Sequence, residues 1–203
     1  MTPGLAACAV CVLAGIAGQA IAEDTPHIGR LSHAGFKTKA HCTAILVQDG
    51  HIATAAHCLP EAAGDTVAIA LGYDRGSAAS VIRAPGTAFR SDGSRDLAVL
   101  CHASDDRGAP LASGIPAPGT QARIAGYGIP RVHALQIRPC KITANSGPAF
   151  SLACPSPPGT SGGPVLTREH GTDALVGIVS ATSPDRTVAM SVTAADIARL
   201  CAE

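Results

Sequence analysis

Three short segments carry side chains that could do nucleophilic chemistry together. Gly159-Thr160-Ser161-Gly162-Gly163-Pro164-Val165 sets one serine among three glycines. Glycine loses the most backbone entropy on folding, so such a segment makes sense where the chain takes unusual dihedrals and approaches a ligand closely. A serine hydroxyl alone is a weak nucleophile and needs a base, with a further group to orient that base. Thr54-Ala55-Ala56-His57-Cys58 offers an imidazole, whose ordinary pKa of about 6.5 suits taking and returning a proton near neutrality. Asp96-Leu97-Ala98-Val99-Leu100 offers a carboxylate at the head of an apolar run. Asp92 is the near competitor, but no apolar run follows it. The other histidines, His27, His33, His41, His51, His102, His133 and His170, lie in no such motif and are read as structural or solvated.

These residues need a scaffold, and the apolar runs around them read as short strands. Ala44 to Val47 and Ile52 to Ala55 flank Asp49-Gly50, a hairpin turn signal, and His57 follows directly. Val67 to Leu71 and Ser80 to Arg83 also read as strands, and Ala84 to Arg95 as a loop that delivers Asp96. His102 to Gly119 is polar and rich in Pro and Gly, the expected linker between two halves. Beyond it lie runs at 123–127, 135–142, 150–154, 164–166, 175–181 and 188–192, with Pro139 placing its strand at an edge or bulge. Thr193 then caps a short amphipathic helix that turns Ile197, Leu200 and Cys201 to one face. The spacing predicts an antiparallel sandwich or barrel.

Composition agrees. Gly 22 and Pro 15 in 203 residues imply many turns. With two Tyr, three Phe and no Trp, the core must be built from Val, Ile, Leu and Ala. Charged residues make up only 15 % and mean hydropathy is positive, which argues against disorder. A net charge of zero gives no electrostatic case for binding nucleic acid or an anionic membrane.

The ordered motifs Thr-Ala-Ala-His-Cys, Asp-Leu-Ala-x-Leu and Gly-x-Ser-Gly-Gly-Pro resemble those of the chymotrypsin/trypsin-like serine peptidases, and Ile28-Gly29-Arg30-Leu31 resembles the bacterial V8-like branch. The resemblance runs from about Pro26 to the C-terminus. It implies an all-β fold of two packed antiparallel six-stranded β-barrels, chymotrypsin-like, with the active site between them and the short helix at the C-terminus. It implies His57 as base, Asp96 as orienter and Ser161 as nucleophile, with the amides of Gly159 and Ser161 as oxyanion hole. Ser180 matches the serine that supports the aspartate. Ala181 and Thr182 stand where the family often has an aromatic residue and a glycine in the substrate pocket, and Thr187 is placed opposite them. Thr160 departs from the aspartate that many animal members carry before the nucleophile. It cannot form an ion pair with a newly cut N-terminus, so activation by N-terminal insertion is not expected.

Residues 1–22 are uncharged and apolar from Leu5, and Ala20-Ile21-Ala22 fits a signal-peptidase site. The expectation is a signal peptide over 1–22, a first barrel over 23–110 and a second over 111–203, in a secreted or periplasmic protein. A retained membrane anchor is the alternative for this run; Leu5 to Cys8 also resembles a lipoprotein box, but it sits too near the start to leave an apolar region before it. Six cysteines remain after the signal, which suits three disulfides, although six allow 15 pairings. The resemblance implies Cys42–Cys58. Cys140 and Cys154 bracket a turn before the serine loop and are expected to pair, leaving Cys101 with Cys201. No paired Cys/His spacing calls for a metal, and no cofactor is expected. The functional expectation is a monomeric serine endopeptidase acting on protein or peptide substrates. A catalytically silent homologue that binds a partner in the same cleft is the alternative.

Overall fold

In the computed structural model, residues 25–33, 41–60, 65–105 and 107–202 are described here. The expected signal segment lies outside them. The chain forms thirteen strands and one α-helix among these residues. The first seven strands are β1 (Ile28–His33), β2 (His41–Val47), β3 (His51–Thr54), β4 (Thr66–Leu71), β5 (Ser80–Pro85), β6 (Phe89–Asp92) and β7 (Leu97–Leu100). They make one antiparallel sheet in the order β5-β4-β1-β2-β3-β7-β6. The next six are β8 (Gln121–Gly126), β9 (Gln136–Ser146), β10 (Ala149–Leu152), β11 (Pro164–Glu169), β12 (Thr172–Thr182) and β13 (Thr187–Ser191). They close into a barrel in the order β10-β13-β12-β11-β8-β9. The expected pair of barrels is thus one closed six-stranded barrel and one seven-stranded half-barrel.

One local reading is corrected. Phe89–Asp92, read as loop, is strand β6, because Phe89 is buried and the segment pairs with β7 just ahead of Asp96. Ile28–His33 forms strand β1 inside the sheet, paired with β2 on one side and β4 on the other. Pro139 sits in β9 without disrupting it. There β9 pairs only with β8, through Arg123, and its pairing with β10 starts at Ile142, so the missing N–H breaks no ladder.

The core is aliphatic, as a chain with so few aromatic residues must make it. Ile28, Ile45, Ile52, Leu97 and Val99 of the half-barrel are fully buried, and their cluster continues into Tyr127, Leu166 and Ile178 of the barrel. Phe150 anchors a second cluster inside the barrel with Ile142, Leu152 and Val165. The one charged side chain buried in strand β1, Arg30, lies over the Tyr73 ring with its guanidinium 5.8 Å from the centroid.

Helix α1 (Ala194–Cys201) follows the barrel in sequence yet packs on the half-barrel, burying Ile197 and Leu200 there. Thr193 and Asp196 form a reciprocal capping box at its start. Disulfides join Cys42 to Cys58, Cys140 to Cys154 and Cys101 to Cys201, with sequence separations of 16, 14 and 100. In the chain-entropy model a loop of about 100 residues stabilises by about 4.7 kcal/mol and one of about 15 by about 3 kcal/mol. Replacing Cys101 and Cys201 together by Ser is therefore expected to lower urea stability more than replacing Cys140 and Cys154 together. Equal or reversed losses would show that native-state strain, and not chain entropy, sets the order.

Candidate active site

His57 lies in a single turn of 3-10 helix, Ala56–Cys58, that starts where β3 ends. The Cys42–Cys58 bridge ties this turn to β2. Asp96 sits just before β7, whose four residues are all buried. Nδ1 of His57 donates to Oδ2 of Asp96 at 2.7 Å, and the His57 amide donates to Oδ1 at 2.9 Å. Both carboxylate oxygens are therefore held by one residue, which fixes ring orientation and tautomer together. Ser180 of β12 adds a third bond, its Oγ donating to Oδ2 of Asp96 at 2.6 Å.

The electrostatics follow from these bonds. Burial alone would push the Asp96 carboxyl up, but the hydrogen bonds from His57 and Ser180 outweigh it and hold the carboxyl at about 2. The bond to Asp96 raises the His57 imidazole above its ordinary value, against the opposing effect of burial. Asp96 is thus an anion throughout the neutral range, and the imidazolium is favoured when His57 takes a proton.

The serine loop between β10 and β11 is pinned to both lobes. The amide of Thr43 in β2 donates to the Ser161 carbonyl at 2.8 Å, and its hydroxyl donates to the Gly159 carbonyl at 2.9 Å. Gly162 donates to Val179 at 2.7 Å and Val179 donates to Gly163 at 2.8 Å, beside Ser180. Gly162 has φ +74°, and a Cβ there would fall 2.2 Å from both the Thr43 carbonyl and the Thr54 hydroxyl. Gly159 has φ +94°, and a Cβ there would meet Nε2 of His41 at 2.2 Å. Only glycine fits either place. The amides of Thr160, Gly162 and Gly163 bond within the protein. Those of Gly159 and Ser161 donate to no acceptor among the described residues, the arrangement an anionic oxygen needs.

Thr43, Thr54 and His41 escaped sequence reasoning. Thr43 and Thr54 are fully buried polar residues, Thr54 donating to the Thr43 carbonyl at 2.9 Å. Of the two readings for His41, structural or solvated, it is structural: its Nε2 donates to the Tyr127 carbonyl at 2.8 Å, against Gly159. Each is an ordinary strand residue in sequence, and only the pairing of strands brings it to the loop.

The expected pocket residues meet the segment before the serine. The Ser156 amide donates to Oγ1 of Thr182 at 3.1 Å, and Thr187 donates to the Cys154 carbonyl at 2.7 Å with Ser156 Oγ 3.1 Å away. Ala181 and Thr182 are exposed, whereas Thr187 is fully buried. Asp185 is exposed and bonded to the Ser183 hydroxyl at 2.7 Å, which holds its carboxyl below the usual range.

Among the described residues two groups of possible metal-ligand atoms occur, each with its atoms within 4.8 Å of one another: Cys42 with His57 and Cys58, and Cys101 with Cys201 and His51. In both, the sulfurs are joined as disulfides and supply no thiolate.

Residues 42–178 match the model of the trypsin-like peptidase domain. No curated protein is similar enough in sequence to match. Among solved structures, a thermostable serine protease from an extremophilic microorganism is similar at TM-score 0.65 and 20 % identity, over 83 % of this chain and 92 % of that one. The protease Anisep of Arthrobacter nicotinovorans is similar at TM-score 0.67 and 16 % identity, over 88 % and 96 %. A serine endoprotease of Yersinia pestis is similar at TM-score 0.65 and 18 % identity, over 83 % and 59 %. At these identities the likeness is one of fold.

The paired titrations set a sign. Asp96 contributes stability above its unfolded value of about 3.9, lost as pH falls through about 2. His57 contributes fully below about 6.5, and its share is lost as pH rises through its raised value. Asp96→Asn removes the cause of the His57 shift. NMR titration of the ring is expected to show a value above 6.5 in the native protein and a lower one in D96N. An unchanged His57 titration would overturn this account.

Proposed function

The chain belongs to the trypsin-like peptidases, and on that premise we propose that it hydrolyses peptide bonds through His57, Asp96 and Ser161 by way of an acyl-enzyme. The observation that carries the reading is the three-bond clamp on Asp96, two from His57 and one from Ser180. Next to Ser180, Val179 is bonded into the Ser161 loop. Base, orienter and nucleophile are thereby parts of one hydrogen-bonded frame.

In the proposed reaction Nε2 of His57 takes the Ser161 proton as Oγ attacks the carbonyl carbon. The carbonyl oxygen becomes an anion held by the amides of Gly159 and Ser161. Losing one such donor costs about 10²–10³ in rate in enzymes of this kind. His57 then gives its proton to the leaving amine, and a water activated the same way releases the acid. Asp96 stays ionised throughout, stabilising the imidazolium.

Within the family we place the chain in the V8-like branch. Ile28 opens β1 and is fully buried, with its amide bonded to the Thr25 carbonyl at 3.2 Å, while Thr160 is buried where animal members carry the aspartate. The proposed division is a first lobe over 23–110 and a second over 111–203. The proposed export is supported by the apolar 1–22 segment and by disulfides, which persist in oxidising compartments. No described helix is long and apolar enough to cross a membrane. We propose a monomer acting on protein or peptide substrates.

For the residue before the scissile bond we propose a small or medium uncharged side chain: Ala, Val, Thr or Leu. The walls of the expected pocket are hydrogen-bonded to each other through Ser156, Thr182 and Thr187, which leaves little depth. Neither wall carries an acid, and Asp185 is exposed and bonded to the Ser183 hydroxyl. A Lys or Arg would lose hydration without a partner, at several kcal/mol. Discrimination among apolar residues is modest, about 1–3 kcal/mol per methylene.

Two measurements test the reading. Ser161→Ala is expected to abolish fluorophosphonate labelling and peptide turnover in a folded protein, and His57→Ala added to it to cost little more, since members of such a unit are non-additive. Multiplicative losses would sink the triad. A peptide library differing at the residue before the cut is expected to favour Ala, Val, Thr and Leu. A strong preference for Lys or Arg that Asp185→Ala removes would identify that residue as the selector instead.

A further inference from the structure

Arg95, the residue immediately before Asp96, is held by groups that come from the far end of the chain. Its side chain is only 12 % exposed; Nε donates to Oδ2 of Asp92 at 2.8 Å and a terminal nitrogen donates to Oδ1 of Asp196 in α1. Arg199, one turn along α1, donates to the same oxygen of Asp92 at 2.7 Å and comes within 3.8 Å of Asp196. Two acids and two guanidinium groups therefore close a ring of alternating charge. Within it Asp92, Arg95 and Asp196 are almost removed from solvent.

Each anchor in this ring is itself fixed. Asp92 also accepts from the amide and hydroxyl of Ser94, at 3.1 and 2.7 Å. Asp196 gives its other oxygen to the amide and hydroxyl of Thr193, the capping box of α1. At the opposite end of the helix, Cys201 is bonded to Cys101, just past the end of β7. The helix is thus tied to both ends of the strand that begins after Asp96. Between those ties the backbone makes a tight turn: Arg95 donates to the Asp92 carbonyl at 3.0 Å, and Leu97 donates to the Arg95 carbonyl at 2.8 Å. Asp96 is the apex of that turn.

We propose that α1 positions Asp96 for catalysis, with Asp196 and Arg95 as the positioning residues; the proposal rests on Asp96 being the triad carboxylate. An apolar face and a disulfide would be enough to dock the helix. A nearly buried arginine between two carboxylates adds something else. Such a group is costly to bury unless its geometry is fully satisfied, and its satisfied geometry fixes the direction from which the chain reaches Asp96. The Asp96 bonds to His57 and Ser180 are 2.6 to 2.9 Å long. A misplacement on the order of 1 Å can cost about 10²-fold in rate.

The test uses the oxidised, full-length mature protein, with active sites counted by fluorophosphonate and peptide-ester hydrolysis measured well below the lowest Tm of the set. Asp196→Asn keeps the size and the cap of the helix but removes the charge. Arg95→Lys keeps the charge but cannot reach both acids at once. Each is expected to lower kcat about tenfold with KM within about twofold of the native protein. Each should also bring the NMR titration of His57 down toward 6.5, and the double variant should lose no more than either alone. Asp196→Glu should recover part of the loss. Leu200→Ala, which removes core packing beneath the helix while the ring and the Cys101–Cys201 bridge still hold it in place, should lower Tm and leave kcat and the His57 titration unchanged. Native kcat in both Asp196→Asn and Arg95→Lys, or an equal loss in Leu200→Ala, overturns the positioning role. Undiminished turnover by Ser161→Ala would instead overturn the triad reading beneath it.

Discussion

The hydroxyl of Ser180 donates to Asp96 across 2.6 Å, and this one bond joins the closed barrel to the half-barrel at the point where chemistry is proposed. Asp96 and His57 come from the half-barrel; Ser161 and Ser180 come from the barrel. A reaction that needs all of them requires the lobes to hold one relative position. The Asp96 carboxylate meets that requirement because it is the shared acceptor. It takes two bonds from His57 and one from Ser180, and their sum outweighs the burial that would otherwise neutralise it. An ionised carboxylate accepting three bonds is a stronger tether than a neutral one, since charge-assisted bonds are roughly twice as strong.

Thr43 provides the second tether, and it works by exclusion of side chains as much as by bonding. Its amide and hydroxyl hold the carbonyls of Ser161 and Gly159, and the amide of Tyr127 donates to the same hydroxyl at 3.0 Å. The serine loop lies so close to β2 that a Cβ at Gly162 would overlap Thr43. Three peptide groups thus converge on one buried threonine, which fixes the serine loop against β2.

The sequence carried the motif residues and the strand pattern plainly, because both are local. His57, Asp96 and Ser161 each announce themselves through neighbours within five positions. The aliphatic runs of β2, β3, β4 and β7 likewise stand against Gly and Pro punctuation. What stayed illegible depends on long-range register. Strand β6 reads as loop because Phe89-Arg90-Ser91-Asp92 has one apolar residue and becomes a strand only by pairing with β7. Thr43 and His41 look like any β2 residues until β2 meets the serine loop 116 positions later. Arg95 and Asp196, 101 positions apart, give no sign of meeting. The first lobe was read as a barrel on resemblance alone, and no local pattern tells a closed sheet from a curled one.

Thr160 shows how the loop can hold its shape without the ion pair used by animal relatives. A charge at this buried position would need a partner, because an isolated ion in a low-dielectric site is costly. Threonine needs none. It is 4 % exposed and packs against two residues without side chains: a Cβ on Gly126 would fall 2.9 Å from its methyl, and one on Gly128 would fall 2.7 Å from its hydroxyl. Its own amide closes a turn on the Pro157 carbonyl at 3.1 Å, and its carbonyl takes the Gly163 amide at 2.8 Å. The conformation of the loop therefore rests on packing and backbone bonds that are complete within the folded chain. No chain terminus is among these described contacts. At this buried position fixed neutral contacts stand where a charge would need a partner.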